Sequence, residues 1–396
     1  MKNMYTKNNS AFFTLAKLIH AYYLCRKNKR NTLNALKFEL SFEMKLLNLS
    51  HQLQNRSYQP GRSVCFAVTH PKTREIFAAD FADRIIHHLL IEEIEPYFDK
   101  CFINTSFACR KNRGTHKAKQ LISKGFTQIT SNCTHPAFFA QIDVANFFTS
   151  INKQILYKLV QKRIMKISKH PLWKEEVMYL TNCIIFHNPT DNYYKKGDKS
   201  LFASIPPQKS LFGMPNDRGL PIGNLSSQFF ANVYLNEIDQ FTKRKLGVKY
   251  YYRYVDDIVL LGKDMNQLKF WRDEIEKFLT IQLQLQLHPE KQIFGSVYSG
   301  IDFLGYFIKP DYILCRKRVV KELKRKLFFY QSSLSEHPTK EEIFQITQTI
   351  NSYYGHFRQA NCYNLRRNIY EKHFGILQKY LIPQNDLRFF SPLQPT

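Results

Sequence analysis

The chain has 396 residues, enough for two or three packed units with a sizeable core. A hydrophobic fraction of 44% and a charged fraction of 23% exclude wholesale disorder. The 58 Lys and Arg against 32 Asp and Glu leave a net charge of +26, which repels itself unless a polyanion is the usual partner; with 15% aromatic residues, nucleic acid is the first candidate, ahead of a merely basic enzyme or a general membrane-surface affinity.

From the N-terminus, Ala11–Leu24 is apolar but interrupted by Lys17 and His20 and lacks a small-residue cleavage site, so it predicts an amphipathic helix rather than a signal peptide. Residues 1–60 hold ten Lys and Arg against two acids, with Leu33, Leu36, Leu40, Leu46 and Leu47 at helical spacing. Val64–Val68 and the stretch ending at Ile76 predict two strands joined by a basic turn. Ile86, Leu90 and Ile94 form a helix stripe expected to end near Pro96. Phe138–Ile142 predicts a buried strand that delivers Asp143 at its end, and Asn152–Leu180 predicts helices. Asn188–Arg218 is long, polar and aperiodic, a loop of the kind that tends to be functional or mobile. Lys249–Val255 and Ile258–Leu261 predict a hairpin with Asp256 and Asp257 at its turn, followed by a helix over Gln267–Leu279. Gly300–Ile308 returns to strand character, and Arg316–Lys326 packs seven basic residues and one acid into eleven positions. The remainder predicts helix to about Tyr380 and an irregular tail after Pro383. The mixture predicts an α+β fold. The eight cysteines are scattered without a Cys-x-x-Cys pair, and no run of about 18 apolar residues occurs, so a cytoplasmic protein without a membrane partner or zinc knuckle is expected.

The chemistry lies in Gln141-Ile142-Asp143-Val144-Ala145-Asn146-Phe147-Phe148 and Tyr254-Val255-Asp256-Asp257. Each places a carboxylate where a buried strand opens. Asp is a common turn former, so the Asp-Asp pair alone carries little. Two such sites together imply cations, because burying carboxylates is costly unless they are neutralised. Hard divalent ions do this, and a pair of them activates the attacking and leaving oxygens of a phosphoryl displacement.

These segments resemble motifs A and C of reverse transcriptases, whose C motif reads Tyr-x-Asp-Asp. The resemblance spans roughly residues 60–360 in family order: Pro71-Lys72-Thr73-Arg74-Glu75-Ile76, Asp83-Arg84-Ile85-Ile86-His87-His88, Ser106-Phe107-Ala108-Cys109-Arg110, Arg113-Gly114-Thr115-His116-Lys117-Ala118, Arg218 to Gln228, Leu287-His288-Pro289-Glu290-Lys291, Gly300 to Tyr306 and Ile350 to His356. It implies a right-hand polymerase: a basic helical extension over 1–60, fingers with part of the palm over 61–142, palm over 143–308 with the inserted loop 188–218, and a helical thumb and tail over 309–396. It further implies two Mg2+ ions, or Mn2+ in their place, held by Asp143 and Asp256 with Asp257 and the Val144 carbonyl assisting. Phe148 falls at the family's steric gate against a ribose 2′-OH, although either Phe147 or Phe148 taken singly reads equally as a core aromatic. Lys72 and Arg74 are similar to the residues that grip the incoming dNTP, which needs charge-assisted donors. Lys291 matches a lysine near the leaving pyrophosphate, a candidate general acid, or else an exposed loop lysine.

Gly219, Pro221 and Gly223 predict a tight turn of close backbone approach before a helix, with Ile222, Gly223 and Gln228 against the nascent base pair. Retroviral enzymes carry Gln where this chain has Ile222, which matches the pattern of diversity-generating retroelement enzymes and raises relaxed fidelity opposite adenine as an expectation. Arg316, Lys317, Arg318, Lys321, Lys324 and Arg325 fall where the family's thumb begins and predict a grip on template–primer phosphates, with Arg110, Arg113 and Lys117 as a second cluster. The few positions after residue 360 predict no RNase H, integrase or endonuclease domain. The resemblance is to compact prokaryotic, group II intron-like enzymes of diversity-generating retroelements and antiphage defence, which implies a partner non-coding or template RNA and a primer. An accessory protein, a second polymerase subunit or a homo-oligomer stays open. Two other readings also stay open: a template-independent, RNA-making or protein-primed polymerase, and a non-catalytic RNA-binding module that keeps the fold.

Overall fold

The structure, a computed structural model, describes residues 12–27, 31–70, 72–335 and 337–393. Ala11 and Pro71, which belong to stretches named above, lie outside them. Helices α1 (Leu15–Arg26), α2 (Leu33–Glu39) and α3 (Phe42–Gln54) precede a hairpin of β1 (Ser63–Val68) and β2 (Arg74–Ala78). Next come α4 (Phe81–Asp99), α5 (Thr115–Ile129), β3 (Phe138–Val144), the single turn α6 (Phe147–Ser150), α7 (Lys153–Met165), α8 (Pro171–Phe186) and the short β4 (Tyr193–Lys195). After α9 (Leu225–Gln240) follow β5 (Tyr250–Tyr254), β6 (Asp257–Gly262), α10 (Met265–Leu283) and β7 (Leu287–Ser296). The chain closes with β8 (Ile301–Phe303), β9 (Tyr306–Ile308), β10 (Ile313–Cys315), α11 (Lys317–Ser333), α12 (Lys340–Phe357), α13 (Tyr363–His373), β11 (Leu381–Gln384) and β12 (Phe389–Pro392).

The central sheet runs β5-β6-β3-β7, antiparallel throughout. Successive side chains on a strand face opposite ways, and here both faces are covered. Ala140, Ile142, Ile258 and Leu260 enter one core with α4 and α7–α10, while Phe139, Val259 and Leu261 enter a second with α5, β8–β10 and α11–α13. Asp143 shares the face of Phe139, and Asp257 that of Val259, so the carboxylates sit on the side opposite the main helix layer. The N-terminal helices join the first core: Tyr22 and Phe38 pack on Phe81 of α4, and Glu176 of α8 accepts hydrogen bonds from the Phe12 and Phe13 amides.

Several elements depart from the sequence reading. α4 runs past Pro96 to Asp99, because a proline in the last turn breaks only one hydrogen bond. Residues 188–218 are a loop for most of their length but are anchored: the short β4 pairs in parallel with β1, and Glu75 of β2 accepts hydrogen bonds from the Leu211 amide (2.9 Å) and the Ser210 hydroxyl (2.8 Å). The tail folds back as the β11–β12 hairpin through Asn385, Asp386 and Leu387, all at positive φ, and Phe390 packs against Tyr354 and Phe374. Lys291 lies on strand β7 and not on a loop.

Candidate active site

Register brings the three aspartates together. Asp143 on β3 lies directly opposite Asp257 on β6, and Val255-Asp256 form the two-residue turn between β5 and β6. The Val144 amide donates to the Asp256 carbonyl at 3.3 Å, tying the turn to the neighbouring strand. Val255 has φ +55°, a left-handed conformation that a β-branched residue adopts only under constraint. On the other side β7 slips register against β3 between Ile142 and Val144, and the displaced segment carries Lys291, whose Nζ bonds Asp143 Oδ2.

Electrostatics at this point is unbalanced. Burial, followed by the Asp143 charge, raises the Asp256 carboxyl to about 6. Burial, followed by the Asp256 and Asp143 charges, raises Asp257 to about 7. Lys291 opposes both shifts. Among the described residues no set of three His, Cys, Asp or Glu side chains closes around one point, and the Lys291 ammonium stands beside Asp143 instead. The donor set nevertheless fits a hard divalent ion, since all three side chains offer carboxylate oxygens whose repulsion a cation relieves.

What holds the turn was not legible in the sequence. Arg253, one residue before the Tyr-Val-Asp-Asp segment, is fully buried and forks onto Asp239 of α9 through Nε (2.7 Å) and Nη2 (2.6 Å). Its remaining donors reach Asn232 Oδ1 (3.2 Å), Ser106 Oγ (3.0 Å) and the Val255 carbonyl (3.0 Å). The Tyr251 hydroxyl, its pKa pushed up by burial and by Asp239, donates to the same carboxylate at 2.7 Å. A helix residue thus fixes the strained turn through one guanidinium.

The hairpin β1–β2 and the 219–228 turn bound the site on another side. Arg74 is exposed at the start of β2, close enough that its charge lowers Asp256, and Lys72 is exposed in the preceding turn. Phe147 is buried in the core, and Phe148 packs against the same core while staying half-buried. The Ile222 carbonyl accepts from the Phe77 amide at 2.9 Å. A Cβ on Gly223 (φ +126°) would meet Ile76 Cγ2 at 2.8 Å and the Phe77 carbonyl at 3.0 Å. The close approach the glycine permits is therefore to strand β2. Gln228 is exposed on the first turns of α9.

Residues 69–308 match the family described as reverse transcriptase (RNA-dependent DNA polymerase). The chain belongs to the reverse transcriptase family. Protein YkfC of Escherichia coli K12 is 24% identical over 308 residues, covering 68% of this chain and 72% of that protein. Apo telomerase from Candida tropicalis has a similar fold, with a TM-score of 0.50 at 11% identity over 75% of this chain and 52% of that one. Telomerase from Candida albicans, solved with a fragment of telomeric RNA, gives a TM-score of 0.45 at 12% identity over 79% and 58%. The chain spans between half and three fifths of the length of these telomerase chains. The fold is the α+β right hand that the motifs imply, and the family's activity is RNA-directed DNA polymerisation.

As a reverse transcriptase, the chain distributes its cations unevenly. Arg110 is withdrawn from the nucleic-acid set: its side chain is 4% exposed, and its guanidinium is spent on Asp99 Oδ1 (2.6 Å) and on the Ile103 (2.7 Å), Ser106 (2.9 Å) and Asp99 (3.3 Å) carbonyls. Arg113 donates to Asn104 Oδ1, while Lys117 is exposed on α5. On α11, Lys317, Arg318, Lys321 and Arg325 are exposed, Lys324 is half-buried, and Leu323 and Leu327 face inward. Arg316 pairs with Asp302 of β8, and Arg325 with Glu322. No described helix is long and apolar enough to cross a membrane.

Proposed function

We propose that this reverse transcriptase adds dNTPs to a primer 3′-OH at the Asp143, Asp256 and Asp257 cluster, copying an RNA template. The observation that carries the reading is the pairing of Asp143 with Asp257 across β3 and β6, with Asp256 held beside them in a strained turn. Asp143 and Asp256, with Asp257 and the Val144 carbonyl, would hold two Mg2+ ions; when bound, these supply an activated primer oxygen and charge neutralisation at the leaving group. Arg74 and Lys72 present donors to the triphosphate from the fingers turn. The half-buried Phe148, whose carbonyl accepts from the Leu220 amide of the 219–228 turn at 2.8 Å, crowds a 2′-OH and favours deoxynucleotides. Lys291, bonded to Asp143 at the edge of the cluster, would supply the proton to the leaving pyrophosphate. The exposed face of α11 and Lys117 grip the duplex through phosphates.

Within the same reading, the cytoplasmic chain works with a partner RNA in a diversity-generating retroelement or an antiphage defence system, which the Ile222 pattern supports. Primer extension on a DNA-primed RNA template with dNTPs and Mg2+ tests the activity. Labelled product dependent on template sequence is expected, and product independent of template overturns the RNA-directed reading. Sequencing the nucleic acid that copurifies with the chain tests the partner: one discrete RNA is expected, and a random sample of cellular RNA contradicts it.

A further inference from the structure

A second basic feature lies on the helix layer, on the other side of the sheet from Asp143. α7 and its C-cap place Lys158, Lys162 and Lys166 at four-residue intervals, all exposed, about 6 Å apart along the axis. That step is close to the separation of successive phosphates along a nucleic-acid strand. Beside this ridge, a groove of about 530 Å3 is lined by Lys100, Lys162, Arg163, Lys166 and Arg244, drawn from the end of α4, α7 and the turn after α9. Its floor is apolar, with Phe98, Leu159 and Val233. Glu237 is the carboxylate among its lining residues. Among the described residues none of these five cations lies within 4.0 Å of a carboxylate, whereas Arg110, Arg253 and Arg316 elsewhere are all paired. Arg163 donates from Nη2 to the Tyr97 carbonyl at 3.1 Å, but its buried Nε has no acceptor.

We propose that this groove is a second nucleic-acid site, which holds phosphates of a structured RNA on the back of the palm while the catalytic cleft holds primer and template. The choice of RNA rests on the polymerase reading above; the preference for a phosphate chain rests on five cations lining the groove against the single Glu237 carboxylate and on the spacing of the lysine ridge. A helix layer and the central sheet separate the groove from Asp143, so the two sites act independently on short substrates.

The test is binding of a labelled stem-loop RNA in the presence of excess short primer–template duplex to fill the cleft. A Lys162→Ala, Lys166→Ala, Arg244→Ala variant is compared with the wild-type chain across a salt series. The variant is expected to bind the stem-loop about tenfold or more weakly, with the slope of log K against log salt reduced by roughly 2–3, as for three lost phosphate contacts. Extension of the short primer–template should keep its kcat and KM, and a Lys162→Arg, Lys166→Arg variant should retain RNA binding. Unchanged affinity and slope overturn the proposal, as does loss of a bound acidic protein with RNA affinity retained. An equal loss of primer extension also overturns it, because the groove would then belong to the cleft. If the wild-type chain binds RNA through the groove but extends no primer, the polymerase reading fails and the groove survives.

Discussion

Arg253→Lys separates the fold from the chemistry at the catalytic turn. The Arg253–Asp239 pair is fully buried on both sides, so deleting either charge leaves the other uncompensated, at about 3–5 kcal/mol. Lysine keeps the charge and removes the fork. One ammonium cannot bond both Asp239 oxygens and also reach Asn232, Ser106 and the Val255 carbonyl. The bond to the Val255 carbonyl is charge-assisted, worth about 1.5–3 kcal/mol. It opposes a left-handed valine that itself costs about 1–3 kcal/mol. Without that bond the turn relaxes, Asp256 leaves its place beside Asp143, and kcat should fall roughly ten- to a hundredfold. KM for dNTP should change little, since Arg74 and Phe148 are untouched. Single-turnover primer extension gives the rate, and urea unfolding gives the stability. Arg253→Lys should lose less stability than Arg253→Ala while losing a comparable share of kcat. Wild-type kcat in a folded Arg253→Lys chain would refute the reasoning.

Phe148→Ala should admit ribonucleotides, read as primer extension with rNTPs, whereas Phe147→Ala should lower stability by about 3–5 kcal/mol without changing sugar selectivity. Gly223→Ala forces a Cβ against Ile76 and the Phe77 carbonyl at a φ that L residues rarely adopt; about 1–3 kcal/mol of stability and a raised KM for dNTP are expected, measured by urea unfolding and steady-state extension. Asp83, buried beside Tyr58 and Gly61, has its carboxyl raised by burial to about 6. Its folded pKa exceeds the unfolded one, so its contribution is full below about pH 4 and lost as pH rises through about 6, an amount of about 3 kcal/mol. Asp83→Asn should flatten that part of the stability–pH curve, and a slope unchanged by the substitution would contradict the assignment.

The strand ends that carry Asp143 and Asp256-Asp257 were legible because short apolar and aromatic runs stop at acids, a local pattern that survives folding. The α+β class followed for the same reason. Arg253 and Asp239 were not legible: they sit on different elements, and nothing in a strand reading of Tyr250–Tyr254 distinguishes a buried guanidinium from a solvated one. Arg110 failed in the opposite direction, because a cation in a basic cluster was read as exposed while the fold turned it onto Asp99 and three carbonyls. The 188–218 segment lacked periodicity because its order comes from outside, from the β1 edge and the Glu75 carboxylate. The β11–β12 hairpin was hidden by a turn of Asn385, Asp386 and Leu387, where Leu387 at positive φ gives no turn signal.

The central claim is that the three-aspartate cluster performs metal-dependent DNA synthesis. The direct measurement is primer extension on an RNA template by Asp256→Asn, Asp257→Asn protein, with urea unfolding in metal-free buffer as the control for folding. Asparagine keeps the shape and removes the repulsion between two half-buried carboxyls crowded against Asp143, so stability should equal or exceed that of the wild-type chain. Mg2+-dependent dNTP incorporation should disappear. A folded variant that still extends the primer at the wild-type rate would contradict the account.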